Sequence, residues 1–412
     1  MKKLRVKKNE NEKFVGRFFK LSLIFLVVLS FIFFVLGIKM DENFFKKYSE
    51  DKKLEDSTIK KIQILKAVFL GFQTLSLILV FIMIYFNKNA KVFIGKNKNL
   101  ILNIFLLVGT IIFLLLIAEI SLRIVYHDKT TSHDFGPTQR FNYNYVQLND
   151  EGFRDKDYII TKLDGVKRIL GLGDSYTYGW GIKNINDSYL KVLEKRLNEN
   201  GKYELMNFGL PGRDTKDEYE LLKEKAVKYN PDLIIIGYLP NDMKNVDKEI
   251  KEYEWKEIKL PFHFWLRNYF YLYFFLETQY NKILEKFNYK ETYYSYLTKV
   301  LNSKVNKEYN KQFFREISEI SKEKGMKVLV VVFPMIYNLQ NYSYTEADNF
   351  VKGAADENDF YFLDLLDIYK EYKNSELVLS RFDAHPNEFA HKLAADAIYE
   401  KLKEENLISQ DL

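Results

Sequence analysis

Three stretches of the first 125 residues contain no charged side chain: residues 21–38, 67–87 and 99–118. Stretches of 18 to 21 residues wound into helix at ~1.5 Å per residue extend roughly 27 to 31 Å, the thickness of a bilayer's hydrocarbon core. A helix in a soluble bundle keeps a polar stripe for water, and these stretches have none. Each is therefore expected to be a transmembrane helix, which places a membrane domain at residues 1–123. A cleaved leader is not expected for the first stretch: it is long, and Gly37-Ile38-Lys39 offers no small-x-small cleavage site.

Charge gives the expected orientation. The formal net charge is +6, and Lys2, Lys3, Arg5, Lys7, Lys8, Lys13 and Arg17 crowd the N-terminal tail against only Glu10 and Glu12. Such a cluster beside an apolar stretch points to the lipid bilayer and its anionic headgroups, not to nucleic acid. The loop between the second and third stretches carries Lys88, Lys91, Lys96 and Lys98 and no acid. Tail and loop lie on one side after two crossings, and their undiluted basic character assigns that side to the cytoplasm. The loop at 39–66 argues the other way with eight lysines, although six acids dilute them. Three crossings leave everything after Arg123 outside the cytoplasmic membrane, in a multi-pass protein. Glu119 and Arg123, four residues apart, are placed to pair at the exit of the third helix.

From about residue 160 the pattern changes. Short segments rich in Val, Ile, Leu or Phe at 167–172, 203–208, 232–238, 326–333 and 359–364 read as strands, with helix-like stretches between them at 188–199, 215–229, 308–324, 345–357 and 387–405. Strands that alternate with helices predict a parallel sheet covered on both faces. The expectation is a five-stranded three-layer α/β/α domain over 161–412, joined to the membrane part by a connector at 124–160. An apolar fraction of 47% supplies the core. There is no cysteine, so disulfides, thiolate metal sites and a cysteine nucleophile are excluded.

The first of these strands runs into Gly171-Leu172-Gly173-Asp174-Ser175-Tyr176-Thr177-Tyr178-Gly179-Trp180-Gly181. A serine delivered by a buried strand into a glycine-rich turn stands at the carboxyl end of the sheet, where open α/β folds place their sites. Its hydroxyl is a weak nucleophile without a base to take its proton. A histidine is available in Asp383-Ala384-His385-Pro386-Asn387.

Gly173-Asp174-Ser175, Asn207-Phe208-Gly209-Leu210-Pro211-Gly212, Pro240-Asn241-Asp242 and Asp383-Ala384-His385-Pro386-Asn387 occur in that order. Together they resemble the four blocks of the SGNH (GDSL) hydrolases, over roughly residues 145–405, as a membrane-anchored member. The resemblance implies a flavodoxin-like α/β/α fold and a serine esterase that works through an acyl-serine intermediate. It implies Ser175 as nucleophile, His385 as base, Asp383 as the acid that orients the imidazole, and an oxyanion hole made by the Ser175 and Gly212 N–H groups and the Asn241 amide, with Gly209 the alternative to Gly212. Two features depart from the family pattern. Acid and histidine are usually separated by two residues, whereas only Ala384 intervenes here, so either Asp383 or a backbone carbonyl supports His385. Pro240 stands where a glycine often precedes the asparagine, which stiffens that turn. His391, where relatives often have Gly-His, reads as a helix-face residue.

Two segments leave alternatives open. Asn149-Asp150-Glu151-Gly152-Phe153-Arg154 reads as a tight turn, or as a segment from which Arg154 binds a carboxylate or phosphate of the substrate. Residues 245–300 form an aromatic insert, including Trp255, Phe262, Trp265, Tyr269, Tyr271 and Phe274 among lysines. It suits an extra helical layer, a lid at the lipid interface, or stacking on a glycan. His127, His133 and His263 share no ligand spacing, and no phosphate-binding loop is present, so no metal or cofactor is expected. The expected substrate is an acyl ester, acetyl on a cell-envelope or wall polysaccharide. The alternatives are an O-acyltransferase using the same serine with a sugar hydroxyl as acceptor, and a catalytically silent envelope binding or assembly protein.

Overall fold

A computed structural model describes residues 2–39, 56–85, 92, 96–260 and 263–408. The chain divides into two compact units, one of residues 1–124 with 260–265 and one of residues 125–259 with 266–412. Lys88, Lys91 and Phe262 lie outside the described residues, as do residues 40–55 of the first loop.

The first unit contains the long helices Lys2–Lys39, Asp56–Tyr85 and Lys98–Val125. Val15 and Phe19 are buried, with Met83 packed against them. Among the described residues one segment, Leu106–Val125, is long and apolar enough to cross a membrane, and none of it is buried; Gln73–Tyr85 is apolar but shorter. Arg123 Nε donates to Glu119 Oε1 at 2.7 Å, the pairing expected from their spacing.

The second unit is built on a parallel sheet of five strands, β1 (Lys167–Gly173), β2 (Tyr203–Asn207), β3 (Leu233–Tyr238), β4 (Lys327–Val332) and β5 (Tyr361–Asp364), in the order β2-β1-β3-β4-β5. Side chains alternate across a strand. Ile169, Leu205, Leu233, Ile235, Leu329 and Val331 therefore enter one core, which helices Tyr189–Leu197 and Glu388–Glu404 close with Leu190, Leu193, Ala394 and Ile398. Leu170, Leu172, Met206, Ile234, Ile236, Val328 and Val330 enter the other. Helices Thr215–Glu224, Lys304–Lys324 and Thr345–Glu357 cover that face with Leu222, Phe314, Ile317 and Val351. Apolar side chains on both faces explain why the strands read as continuous Val/Ile/Leu runs.

The observed strands depart from the sequence reading by at most two residues at an end. The stretch expected as one helix over 215–229 breaks at Lys225 into a short 3-10 turn, Ala226–Tyr229. Two strands escaped sequence reading altogether. β6 (Val378–Ser380) and β7 (Asp383–Pro386) form an antiparallel pair, Ser380 opposite Asp383 and Val378 opposite Pro386.

Candidate active site

Ser175 owes its place to the end of β1. Gly173 turns the chain with φ 153°, and a Cβ there would lie 2.1 Å from Thr177 Oγ1 and 2.8 Å from the Gly237 carbonyl oxygen, so the turn excludes any side chain. Asp174 caps the short helix Ser175–Tyr178, accepting from the Tyr176 N–H at 2.9 Å. The serine is thereby set at the carboxyl end of the central strands β1 and β3.

β7 brings the histidine and the acid. Residues two apart on a strand face the same side, which is how a one-residue spacing puts Asp383 and His385 in contact. His385 Nδ1 lies 2.5 Å from Asp383 Oδ1 and His385 Nε2 lies 2.9 Å from Ser175 Oγ. The open alternative, a backbone carbonyl behind His385, is not what the structure places there. Asp383 is 2% exposed. Burial alone would raise its carboxyl, but the neighbouring His385 charge and hydrogen bonds from His385 and Thr130 outweigh it and hold the group below its ordinary range.

Three further contacts complete this corner. The Trp180 indole N–H is shared between Asp383 Oδ2, at 3.1 Å, and the Thr131 carbonyl, at 3.2 Å. Its ring stacks on the imidazole, with centroids 5.3 Å apart and planes 25° apart. Tyr176 packs on the same imidazole at 5.5 Å. Thr130, Thr131, Tyr176 and Trp180 were not among the sequence-derived candidates.

The expected oxyanion donors are arranged unequally. The Gly209 N–H already donates to Asn207 Oδ1 at 2.9 Å. The Gly212 N–H, in a left-handed turn at φ 72°, makes no hydrogen bond within the described residues. Asn241 sits in the 3-10 turn Pro240–Asp242, which Asp242 ties by accepting from the Leu239 N–H at 2.7 Å. Its amide nitrogen is 3.5 Å from Asp174 Oδ2, and its amide oxygen is buried without a partner. Asp174 Oδ2 also lies 3.1 Å from Ser175 Oγ, and burial raises the Asp174 carboxyl above its ordinary range.

Arg154 stands elsewhere than the substrate-binding reading placed it. It is 1% exposed, and its two terminal nitrogens donate to the carbonyls of Gly179 and Ile182, so it clamps the loop that carries Trp180. His391 is buried on the C-terminal helix, accepts from the Tyr189 N–H at 3.2 Å, and is not in the serine's hydrogen-bond chain. Among the described residues no group of three or more His, Asp or Glu is placed to hold a metal ion.

The insert packs in part as a helical layer. Tyr271 and Phe274 of helix Tyr271–Lys286 meet Tyr126 edge-on, at 6.1 and 6.0 Å. Helix Tyr293–Asn302 contributes Tyr294 to a cavity of about 240 Å³ also lined by Tyr337, Asn338, Asn341, Ser343 and Tyr344. The Ile336 N–H, one residue before Tyr337, donates to the Tyr176 phenol of the serine turn.

Residues 172–393, more than half of the chain, match the GDSL-like Lipase/Acylhydrolase family. The chain belongs to that family. This GDSL-like acylhydrolase is accordingly a hydrolase of ester bonds. No curated protein matches it. Among solved structures it is similar to TesA (14% identity, 58% of this chain and 99% of that chain, TM-score 0.37) and to the acetyl xylan esterase AlAXEase (16%, 57% and 98%, 0.36). The psychrotrophic esterase EstA from Pseudoalteromonas sp. is similar too (15%, 58% and 99%, 0.36).

Proposed function

We propose that this acylhydrolase is a membrane-anchored serine esterase that removes an acyl group, acetyl in our reading, from a glycan of the cell envelope or wall. The observation that carries the chemistry is the continuous hydrogen-bonded chain from Ser175 Oγ through His385 to Asp383. In this reading Ser175 Oγ bonds to the ester carbonyl carbon while its proton passes to His385 Nε2, and the carbonyl electron pair moves onto oxygen. Asp383 stays ionised and stabilises the imidazolium. The Gly212 and Ser175 N–H groups and the Asn241 amide meet the oxyanion, each donor lowering the barrier by roughly 2.7 to 4 kcal/mol. Collapse expels the sugar oxygen, which takes the proton from His385. Water then attacks the acyl-serine by the same route, His385 taking its proton and returning it to Ser175 as acetate departs.

The glycan assignment is supported by a cavity in the catalytic unit whose three tyrosine rings and two asparagine amides are surfaces on which sugars stack and hydrogen-bond. The anchor is supported by Leu106–Val125, an apolar helix without protein cover. We place the stretches at 21–38 and 67–87 across the bilayer as well, with the N-terminus in the cytoplasm, residues 1–123 as the membrane domain and 161–412 as the catalytic domain outside. Arg154 is assigned to holding the Trp180 loop, not to the substrate.

Incubation of the purified full chain with an aryl acetate and with an acetylated glycan tests the activity. Release of acetate by wild type and its loss in Ser175→Ala is the expected result; no release from either substrate overturns the reading. The cysteine-free sequence allows a clean topology test. A cysteine replacing Asn200 should react with an impermeant maleimide on intact cells, and one replacing Lys3 only after lysis.

A further inference from the structure

The one-residue spacing between Asp383 and His385 leaves a problem that the hydrogen-bonded chain alone does not solve. β7 presents Asp383 with one oxygen toward the imidazole and the other toward the protein interior, where an unpaired carboxylate oxygen is costly. Three observations converge on the group that meets it. The Trp180 indole N–H reaches Asp383 Oδ2 at 3.1 Å. The face of the same indole covers His385, 5.3 Å between centroids and 25° between planes, so one side chain touches both members of the pair. The loop that carries Trp180 is itself fixed on both sides. Arg154 donates to the carbonyls of Gly179 and Ile182, which flank it, and Gly181, at φ 73°, has no room for a Cβ, which would fall 2.1 Å from Leu379 Cδ1 and 2.7 Å from Thr130 Oγ1. The loop is thus pressed against β6, the partner strand of β7.

We infer that Trp180 is the positioning residue of this active site: its N–H holds the second oxygen of Asp383 and its ring holds the plane of His385, so that an acid spaced by a single residue orients the imidazole toward Ser175. The inference rests on the esterase reading above and adds a residue to it. The Trp180 backbone N–H donates to the Ser175 carbonyl at 2.9 Å, but its side chain acts on the serine hydroxyl through Asp383 and His385. Arg154 acts one step further back, by holding the Trp180 loop.

The sign of the pH effect follows from the contacts. Removing the indole N–H leaves the Asp383 carboxylate less well compensated, so it holds a proton on His385 more tightly, and the neutral imidazole that accepts the serine proton is reached only at higher pH. The titratable groups facing the pair are Asp174 and Tyr176 from the serine turn, His391 from the C-terminal helix and His133 from the connector. None of them replaces the lost donor, although Thr130 continues to hydrogen-bond Asp383.

The test uses the full chain in detergent with p-nitrophenyl acetate, comparing wild type, Trp180→Phe and Trp180→Leu across pH 5 to 9. Phenylalanine keeps a ring on His385 and removes the N–H; leucine removes both. In Trp180→Phe, kcat should fall at least fivefold with KM within twofold, and the acid limb of kcat/KM should move to higher pH. Trp180→Leu should fall further. Absence of turnover in wild type would sink the esterase reading before Trp180 is at issue. Turnover in wild type with an unmoved acid limb and near wild-type kcat in folded Trp180→Phe would overturn the inference alone. So would a loss in that variant that is equal at every pH, since that is what a merely structural role gives.

Discussion

Replacing Asp383 by asparagine removes one charge and turns one acceptor into a donor, at a position where every neighbour donates. Oδ1 receives the His385 backbone N–H at 3.1 Å and faces Nδ1 at 2.5 Å, while Oδ2 receives the Trp180 indole at 3.1 Å. Asparagine offers a single acceptor oxygen. If its NH₂ faces Trp180, two donors collide in a buried site. If it faces His385, the imidazole must keep its proton on Nε2 and Ser175 loses its base. Loss of a hydrogen bond to a charged group costs about 1.5 to 3 kcal/mol, and stranding a buried donor costs a further ~1 to 3 kcal/mol. A total near 4 kcal/mol corresponds to roughly a 10³-fold fall in kcat, at about 1.4 kcal/mol per decade. Initial rates of aryl acetate hydrolysis, with folding checked by circular dichroism, measure it. A folded Asp383→Asn protein within tenfold of wild type would refute the reasoning and return the orienting role to another group.

On the proposed oxyanion role of its amide, Asn241→Ala should lower kcat by about 10² to 10³ with little change in KM; steady-state kinetics on one ester decide it. Arg154→Met leaves the Ile182 carbonyl without its buried donor, while the Gly179 carbonyl keeps the Ile182 N–H at 3.2 Å, and should destabilise the second unit by about 1 to 3 kcal/mol. Urea unfolding reads this, and an unchanged midpoint with a raised KM would restore the substrate-binding reading. His391 is buried and neutral, its basicity pushed down to about 3 from the ordinary 6.5 by burial and by the nearby Arg154 and His385 charges. Below pH 6.5 the unfolded chain takes up a proton that the folded one refuses until about pH 3. Stability is therefore lost as pH falls through that window, by about 2 kcal/mol between pH 7 and 5. The unfolding midpoint at the two pH values should show that loss in wild type and a smaller one in His391→Gln.

The five parallel strands were legible because each is buried on both faces, which leaves unbroken apolar runs bounded by polar helices. Ser175 and His385 were legible for a related reason: a serine in a glycine turn after a strand, and a histidine followed by proline, are local signals. The β6–β7 pair was not. Val378–Ser380 is short and only partly buried, so no periodicity marked it, and without it the spacing of Asp383 and His385 looked anomalous. The i, i+2 geometry of a strand resolves the anomaly. Trp180 lies 203 residues from Asp383 in sequence, so nothing local announces their hydrogen bond. Arg154 misled because an arginine in a polar turn is ordinarily exposed, and here two backbone carbonyls compensate its burial.

The central claim is that Ser175, activated by His385, becomes covalently acylated. A fluorophosphonate probe reports it most directly, since the phosphorus is attacked by the same oxygen and the adduct is stable. Intact-protein and peptide mass spectrometry of the full chain should find one phosphonyl group, on the peptide containing Ser175, with no labelling in Ser175→Ala and strongly slowed labelling in folded His385→Ala. Labelling that persists in Ser175→Ala, or an adduct on another residue, would contradict the account.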